Sequence, residues 1–172
     1  LSKTDKIIFL DIDGVIATPE TITDCSWGLT FAKQLLLKQI IDHTRAKIVL
    51  SSSWRTNNLI TTKEYMKNAG FILVDEIIGI TIRAYHYIEK GIHLSIPRGV
   101  EIQQWIDTNI HSNKGKEWAR KELGKDWNYV ILDDDSDMLL EQKDHFIQCN
   151  SLIGLTPEHV EQAIKILNYE KN

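Results

Sequence analysis

The chain has 172 residues, which at about 150 residues per domain corresponds to one domain, residues 1–172. Hydrophobic residues make up 42% and charged residues 26%, a balance that excludes wholesale disorder and supplies a sizeable core. A net charge of -4 argues against a broad electrostatic grip on nucleic acid, and no apolar run approaches the 18 or so residues that cross a bilayer, so no membrane partner is expected. The opening residues, Leu1 to Lys6, lack the hydrophobic core of a signal peptide, and a start without Met is expected of a processed or trimmed chain. Cys25 and Cys149 are the only cysteines. Two thiols so far apart, without a signal, are expected to stay reduced, which makes the expected compartment the cytoplasm.

Strand-like and helix-like segments alternate, the pattern of an α/β domain. Lys6 to Leu10 is a short β-rich run that ends in Asp11-Ile12-Asp13-Gly14. Leu29, Ala32, Leu35, Leu36 and Ile40 recur at helical spacing and predict a helix from Leu29 to Ile41. Lys47 to Leu50 is the second strand, stopped by Ser51-Ser52-Ser53. Thr61 to Glu64 has the pattern of a capping box that opens a helix closed by Gly70. Phe71 to Val74 and Ile77 to Ile82 are expected strands, followed by an irregular stretch to Pro97. Ile102, Trp105, Ile106 and Ile110 form one face of a helix from Arg98 to Ile110. Tyr129 to Leu132 is almost wholly apolar, as a strand buried on both faces must be. His145 to Gln148 is a last strand, and Thr156-Pro157-Glu158 caps a final helix with Val160, Ala163, Ile164 and Leu167 inward. Between His111 and Asn128 a basic run holds Trp118 and Trp127. It is expected to be a solvated helix with its tryptophans on the core.

Three motifs follow strands, and in a parallel sheet the strand ends share one edge, where such folds bind ligands. Asp11 and Asp13, two apart on an extended segment, point the same way, and such close like charges need a cation or a shared proton. Ser51, Ser52 and Ser53 offer hydroxyls and amides to phosphate oxygens. Asp133-Asp134-Asp135-Ser136-Asp137 places four carboxylates directly after a buried strand. Hard oxygen ligands in that number favour a hard cation, Mg²⁺ above all. Any one motif could be plain turn or capping chemistry; their order after successive strands makes the set specific. The six histidines show no metal-ligand spacing near the acidic motifs, Trp54 is expected in the core, and Tyr85 to Tyr87 in a packed loop.

On these residues the chain resembles the haloacid dehalogenase (HAD) superfamily of phosphohydrolases. Asp11 to Val15 resembles the nucleophile motif, Ile48 to Ser51 the phosphate-binding second motif, Pro97-Arg98 the basic third motif, and Val130 to Asp134 the acidic fourth. More narrowly, Leu50 to Arg55 and Leu132 to Asp137 resemble the small HAD domains of the Swiss Army Knife group of RNA repair proteins. The resemblance implies a Rossmann-like fold, a parallel sheet with helices on both faces. It also implies that Asp11 attacks phosphorus and that Asp13 serves as acid and then base, with its main-chain carbonyl on Mg²⁺. Ser51, Ser52 and Arg98 would bind the phosphate. Asp134, with Asp133 as a ligand or beside one, would complete the metal site with Asp11 and Asp13. Asp137 is a weaker metal candidate and Asp135 a structural residue; apart from the resemblance, Arg55, just past the phosphate-binding serine, is a minor candidate for supporting substrate binding.

The spans from Asp13 to Ser51 and from Ser51 to Arg98 are largely used by helices and strands. An independent cap domain needs about 40 residues or more, so no large cap is expected, only a small flap within 72–96. An open site suits a phosphorylated RNA or DNA end, a nucleotide, or a phosphoprotein. The alternatives are a phosphate-sensing or partner-binding module with the same fold, which the presence of both Asp11 and Asp13 disfavours, and a metal-dependent glycosyltransferase, which also uses a DxD motif. The sequence carries no sign of the natural substrate or the oligomeric state.

Overall fold

A computed structural model describes residues 6–19, 28–83, 85–88, 92–112 and 127–169. The flap range 72–96 is described in part, and Cys25, Trp118 and most of the basic run lie outside the described residues. Five parallel strands form the central sheet: β1 (Lys6–Leu10), β2 (Lys47–Leu50), β3 (Ile77–Ile80), β6 (Asn128–Asp133) and β7 (Phe146–Gln148), in spatial order β3-β2-β1-β6-β7. Among the described residues the α-helices are α1 (Phe31–Thr44), α2 (Leu59–Asn68), α3 (Arg98–Ile106) and α4 (Pro157–Leu167). Tyr85–Ile88 (β4) and Ile92–Ser95 (β5) form a separate two-stranded antiparallel sheet, where an irregular stretch and a packed loop were expected. Among the described residues there is no large cap, and none of their helices is long and apolar enough to cross a membrane.

Alternation along β1 divides the core. Ile8 and Leu10 face a cluster with Leu37 and Ile40 of α1 and Val160, Ala163 and Leu167 of α4. Ile7 and Phe9 face the other way, against Ile102, Trp105 and Ile106 of α3. Phe9 meets Trp105 and Tyr129 edge to face, with ring centroids 5.4 and 5.7 Å apart. Burying a side chain of that size contributes about 1.5–3 kcal/mol. A helix layer on each face therefore pins β1 at the centre of the sheet, which fixes where its C-terminal end lies.

Three expected elements differ from what forms. Helix α2 starts two residues before the expected box, because the Asn58 side chain accepts the Thr61 N–H at 3.0 Å and acts as the N-cap. Phe71 to Val74 is no strand: the Phe71 N–H donates to Met66 O and the Ile72 N–H to Gln34 Oε1, which withdraws this backbone from any ladder. Those bonds also explain why Gln34 is buried on α1 while Leu35 stays exposed. Helix α3 passes into a wider turn over Asp107–His111, which keeps Ile110 on the buried face. At its start, the Arg98 N–H donates to Asp137 Oδ2 at 2.7 Å. One acid of the 133–137 run thus caps a helix whose free N–H groups favour a carboxylate.

Candidate active site

Register builds the site. Leu10 pairs with Leu50 and with Leu132, and Leu50 with Ile80. The ladders run one step further: Thr81 N–H to Leu50 O at 3.0 Å, Ser51 N–H to Leu10 O at 2.8 Å, and Asp11 N–H to Leu132 O at 2.9 Å. Thr81, Ser51, Asp11 and Asp133 therefore stand side by side along the C-terminal edge of the sheet. The strand order turns back between β1 and β6, the position where open α/β sheets form their ligand crevice. Asp11 and Asp133 flank that crevice.

Carboxylate oxygens of Asp11, Asp133 and Asp134 lie within 4.8 Å of one another. Asp11 and Asp133 are buried and Asp134 half-buried. Asp11 Oδ1 and Asp133 Oδ2 have no hydrogen-bond partner. Burial is the main reason that the Asp11 carboxyl is pushed up to about 6, against the Ser52 hydroxyl and Arg98, which favour its charge. Burial, followed by the neighbouring Asp11 charge, raises Asp133 further, and burial also raises Asp134. The Arg98 Nε stands 3.5 Å from Asp133 Oδ2, an ion-pair distance without a hydrogen bond. Three acids beside that guanidinium, two with orphaned oxygens, form an all-oxygen set that fits a hard divalent cation.

Asp13 stands apart from this triad. Its carboxylate accepts from the Ser53 hydroxyl and from the Trp54 indole N–H, both at 2.9 Å. Trp54, expected only in the core, packs partly on it beside Tyr65 and also presents its N–H to Asp13. Ser52 is fully buried; its hydroxyl bonds the Asp11 carboxylate and accepts the main-chain N–H of Trp54 at 3.3 Å. Its hydroxyl therefore stands beside the Asp11 carboxylate, at the edge where its phosphate contact was expected. Ser51 Oγ accepts from Thr81 Oγ1 at 3.4 Å. Asp135 donates its N–H to Asp133 Oδ1 at 3.0 Å, and Asp137 caps α3, so neither joins the triad.

Arg55 is buried, donating to Thr81 Oγ1 and, at 3.0 Å, to Glu101 Oε2 rather than to the triad. Arg98 Nη1 lies 3.5 Å from the same Glu101 oxygen. Of the other cations near motif positions, Arg83 donates to Ser53 O at the rim, while Lys63 binds Ile77 O at the opposite end of β3. Thr81 and Glu101 are the residues that sequence reasoning missed. Glu101 has the pattern of an ordinary first-turn acid of an amphipathic helix, and its pairing with Arg55 across 46 positions leaves no local trace.

A family model for the HAD domain in Swiss Army Knife RNA repair proteins matches residues 7–160. No curated protein and no solved structure matches the chain.

Proposed function

The chain belongs to the HAD domain family of Swiss Army Knife RNA repair proteins, and from that premise we propose that it is a Mg²⁺-dependent phosphohydrolase acting on a phosphorylated RNA or DNA end or a nucleotide. The observation that carries this reading is the triad Asp11–Asp133–Asp134, its oxygens within 4.8 Å and two of them buried without partners, at the crevice of the sheet. Asp11, Asp133 and Asp134, with the Asp13 main-chain carbonyl, would hold the ion. Bound there, Mg²⁺ would supply positive charge that offsets the carboxylates and the phosphate.

The protein's own groups do the rest. Asp11 attacks phosphorus through one carboxylate oxygen, the P–O bond to the leaving group breaks, and an aspartyl-phosphate forms. Ser52, bonded to Asp11, orients the attacking carboxylate. Asp13 gives its proton to the departing oxygen, then takes one from the water that attacks phosphorus, which frees Asp11 and inorganic phosphate. Ser51 and Arg98 meet the non-bridging oxygens, where fixed donors stabilise developing charge. The absence of a large cap among the described residues and the family's association with RNA repair support a large substrate, an end-phosphorylated oligonucleotide foremost.

The test is phosphate release, with Mg²⁺ or with chelator, from 3′- and 5′-phosphorylated oligonucleotides, nucleotides, sugar phosphates and phosphopeptides. Mg²⁺-dependent release, fastest from an oligonucleotide end, is the expected result. Phosphate binding without turnover of any class would replace the enzyme by a phosphate-sensing module.

A further inference from the structure

Arg98 does not stand over the triad by itself. Its guanidinium lies between Asp133 and Glu101, 3.5 Å from each, through Nε and Nη1 respectively. Glu101 is buried, one turn further along α3, and its Oε2 also receives Arg55 Nη2 at 3.0 Å. Arg55 is buried too, and its other arm bonds Thr81, which in turn donates to Ser51. Two arginines thus share one buried carboxylate, and the chain of contacts runs Ser51–Thr81–Arg55–Glu101–Arg98–Asp133 behind the sheet edge. A buried charge is costly unless paired, and this one is paired twice. A long, flexible arginine at a helix start otherwise samples many rotamers, most of them away from the carboxylates.

We propose that Glu101 is a positioning residue: clamped by Arg55, it holds the Arg98 guanidinium over the acidic triad, ready for the phosphoryl group. The proposal rests on the phosphohydrolase reading above. Glu101 touches neither substrate nor metal; it acts through Arg98. Arg55 and Thr81 extend the same support to Ser51, so the two phosphate contacts are set by one buried network.

The experiment is a double-mutant cycle of Glu101→Gln and Arg98→Ala in the Mg²⁺-loaded protein. The readouts are kcat/KM on the best substrate found for the wild type, inorganic-phosphate affinity by calorimetry, and melting temperature. Glu101→Gln should lower kcat/KM on the order of 100-fold, the scale of a misplaced catalytic group, and weaken phosphate binding. In the Arg98→Ala background the same change should cost far less, leaving only what reaches Ser51 through Arg55 and Thr81. Equal losses with and without Arg98 would mean a general structural role and overturn the proposal, as would wild-type kinetics in Glu101→Gln. If Glu101→Gln fails to fold, Arg55→Met/Glu101→Met replaces the buried pair with apolar chains. Folded, that variant should still lose phosphate affinity, and full wild-type activity in it would overturn the proposal. An inactive wild type fails the phosphohydrolase reading instead, a separate result from an active wild type indifferent to Glu101.

Discussion

Gly14 and Asp134 touch in a way that no other residue at position 14 permits: a Cβ on Gly14 would stand 2.3 Å from Asp134 Oδ2. Gly14 also has φ +69°, a conformation that side chains disfavour. The turn after β1 therefore passes against the half-buried carboxylate and sets how close it comes to Asp11. Gly14→Ala should displace Asp134 and weaken Mg²⁺ binding by about 10–100-fold, the range for disturbed metal surroundings. Calorimetric Mg²⁺ titration checks this; unchanged affinity would refute it.

Arg98→Ala removes the cation beside Asp133 of the triad and should cost about 2–4 kcal/mol in kcat/KM, as losses of preorganised charge do. Arg98→Lys should recover part of it. One ammonium replaces the two nitrogens that face Asp133 and Glu101, so the charge returns without the bridging geometry. Steady-state kinetics of the two variants decide it. Arg83→Ala, at the rim, should fall far less than Arg98→Ala.

Trp54→Phe keeps the ring beside Tyr65 and deletes the N–H that holds Asp13. Asp13 then loses a fixed orientation, so kcat should fall about tenfold or more, while one lost hydrogen bond should lower melting by only a few degrees. A variant with lost stability and normal kcat would assign Trp54 to packing alone.

Acid should stabilise the metal-free protein. Burial raises the Asp11 carboxyl to about 6 and raises Asp133 further, so between the ordinary carboxylate range and neutral pH the folded chain binds more protons than the unfolded one. Stability then falls as pH rises through that window and is recovered as pH drops toward 5. Melting temperature in chelator should accordingly be higher at pH 5 than at pH 8, with a smaller difference in Asp133→Asn. Mg²⁺, which binds the ionised carboxylates, should raise melting most at the alkaline end.

The strands that carry the site were legible because burial on both faces leaves a continuous apolar run, as in Lys6–Leu10 and Tyr129 to Leu132, with the acids directly behind it. Asp11, Asp133 and Asp134 meet as the strand order requires. What was not legible depends on partners distant in sequence. Asp137 caps α3 because the chain returns to it from Arg98, 39 positions earlier, so the four acids could not be sorted by spacing. The Phe71 to Val74 segment has strand composition, yet Gln34 and the end of α2 take its backbone N–H groups. Trp54 has the composition of a core residue, and only its indole N–H, aimed at Asp13, gives it a second task.

The central claim is that Asp11 forms an aspartyl-phosphate, and borohydride trapping addresses it directly. An acyl phosphate is reduced to an alcohol, so quenching a Mg²⁺-supported turnover with borohydride should convert Asp11 to homoserine, read by peptide mass spectrometry. Conversion should require both substrate and Mg²⁺, and Asp11→Asn should abolish it together with phosphate release while the protein stays folded. Continued phosphate release by Asp11→Asn, or homoserine at another aspartate in place of Asp11, would contradict the account.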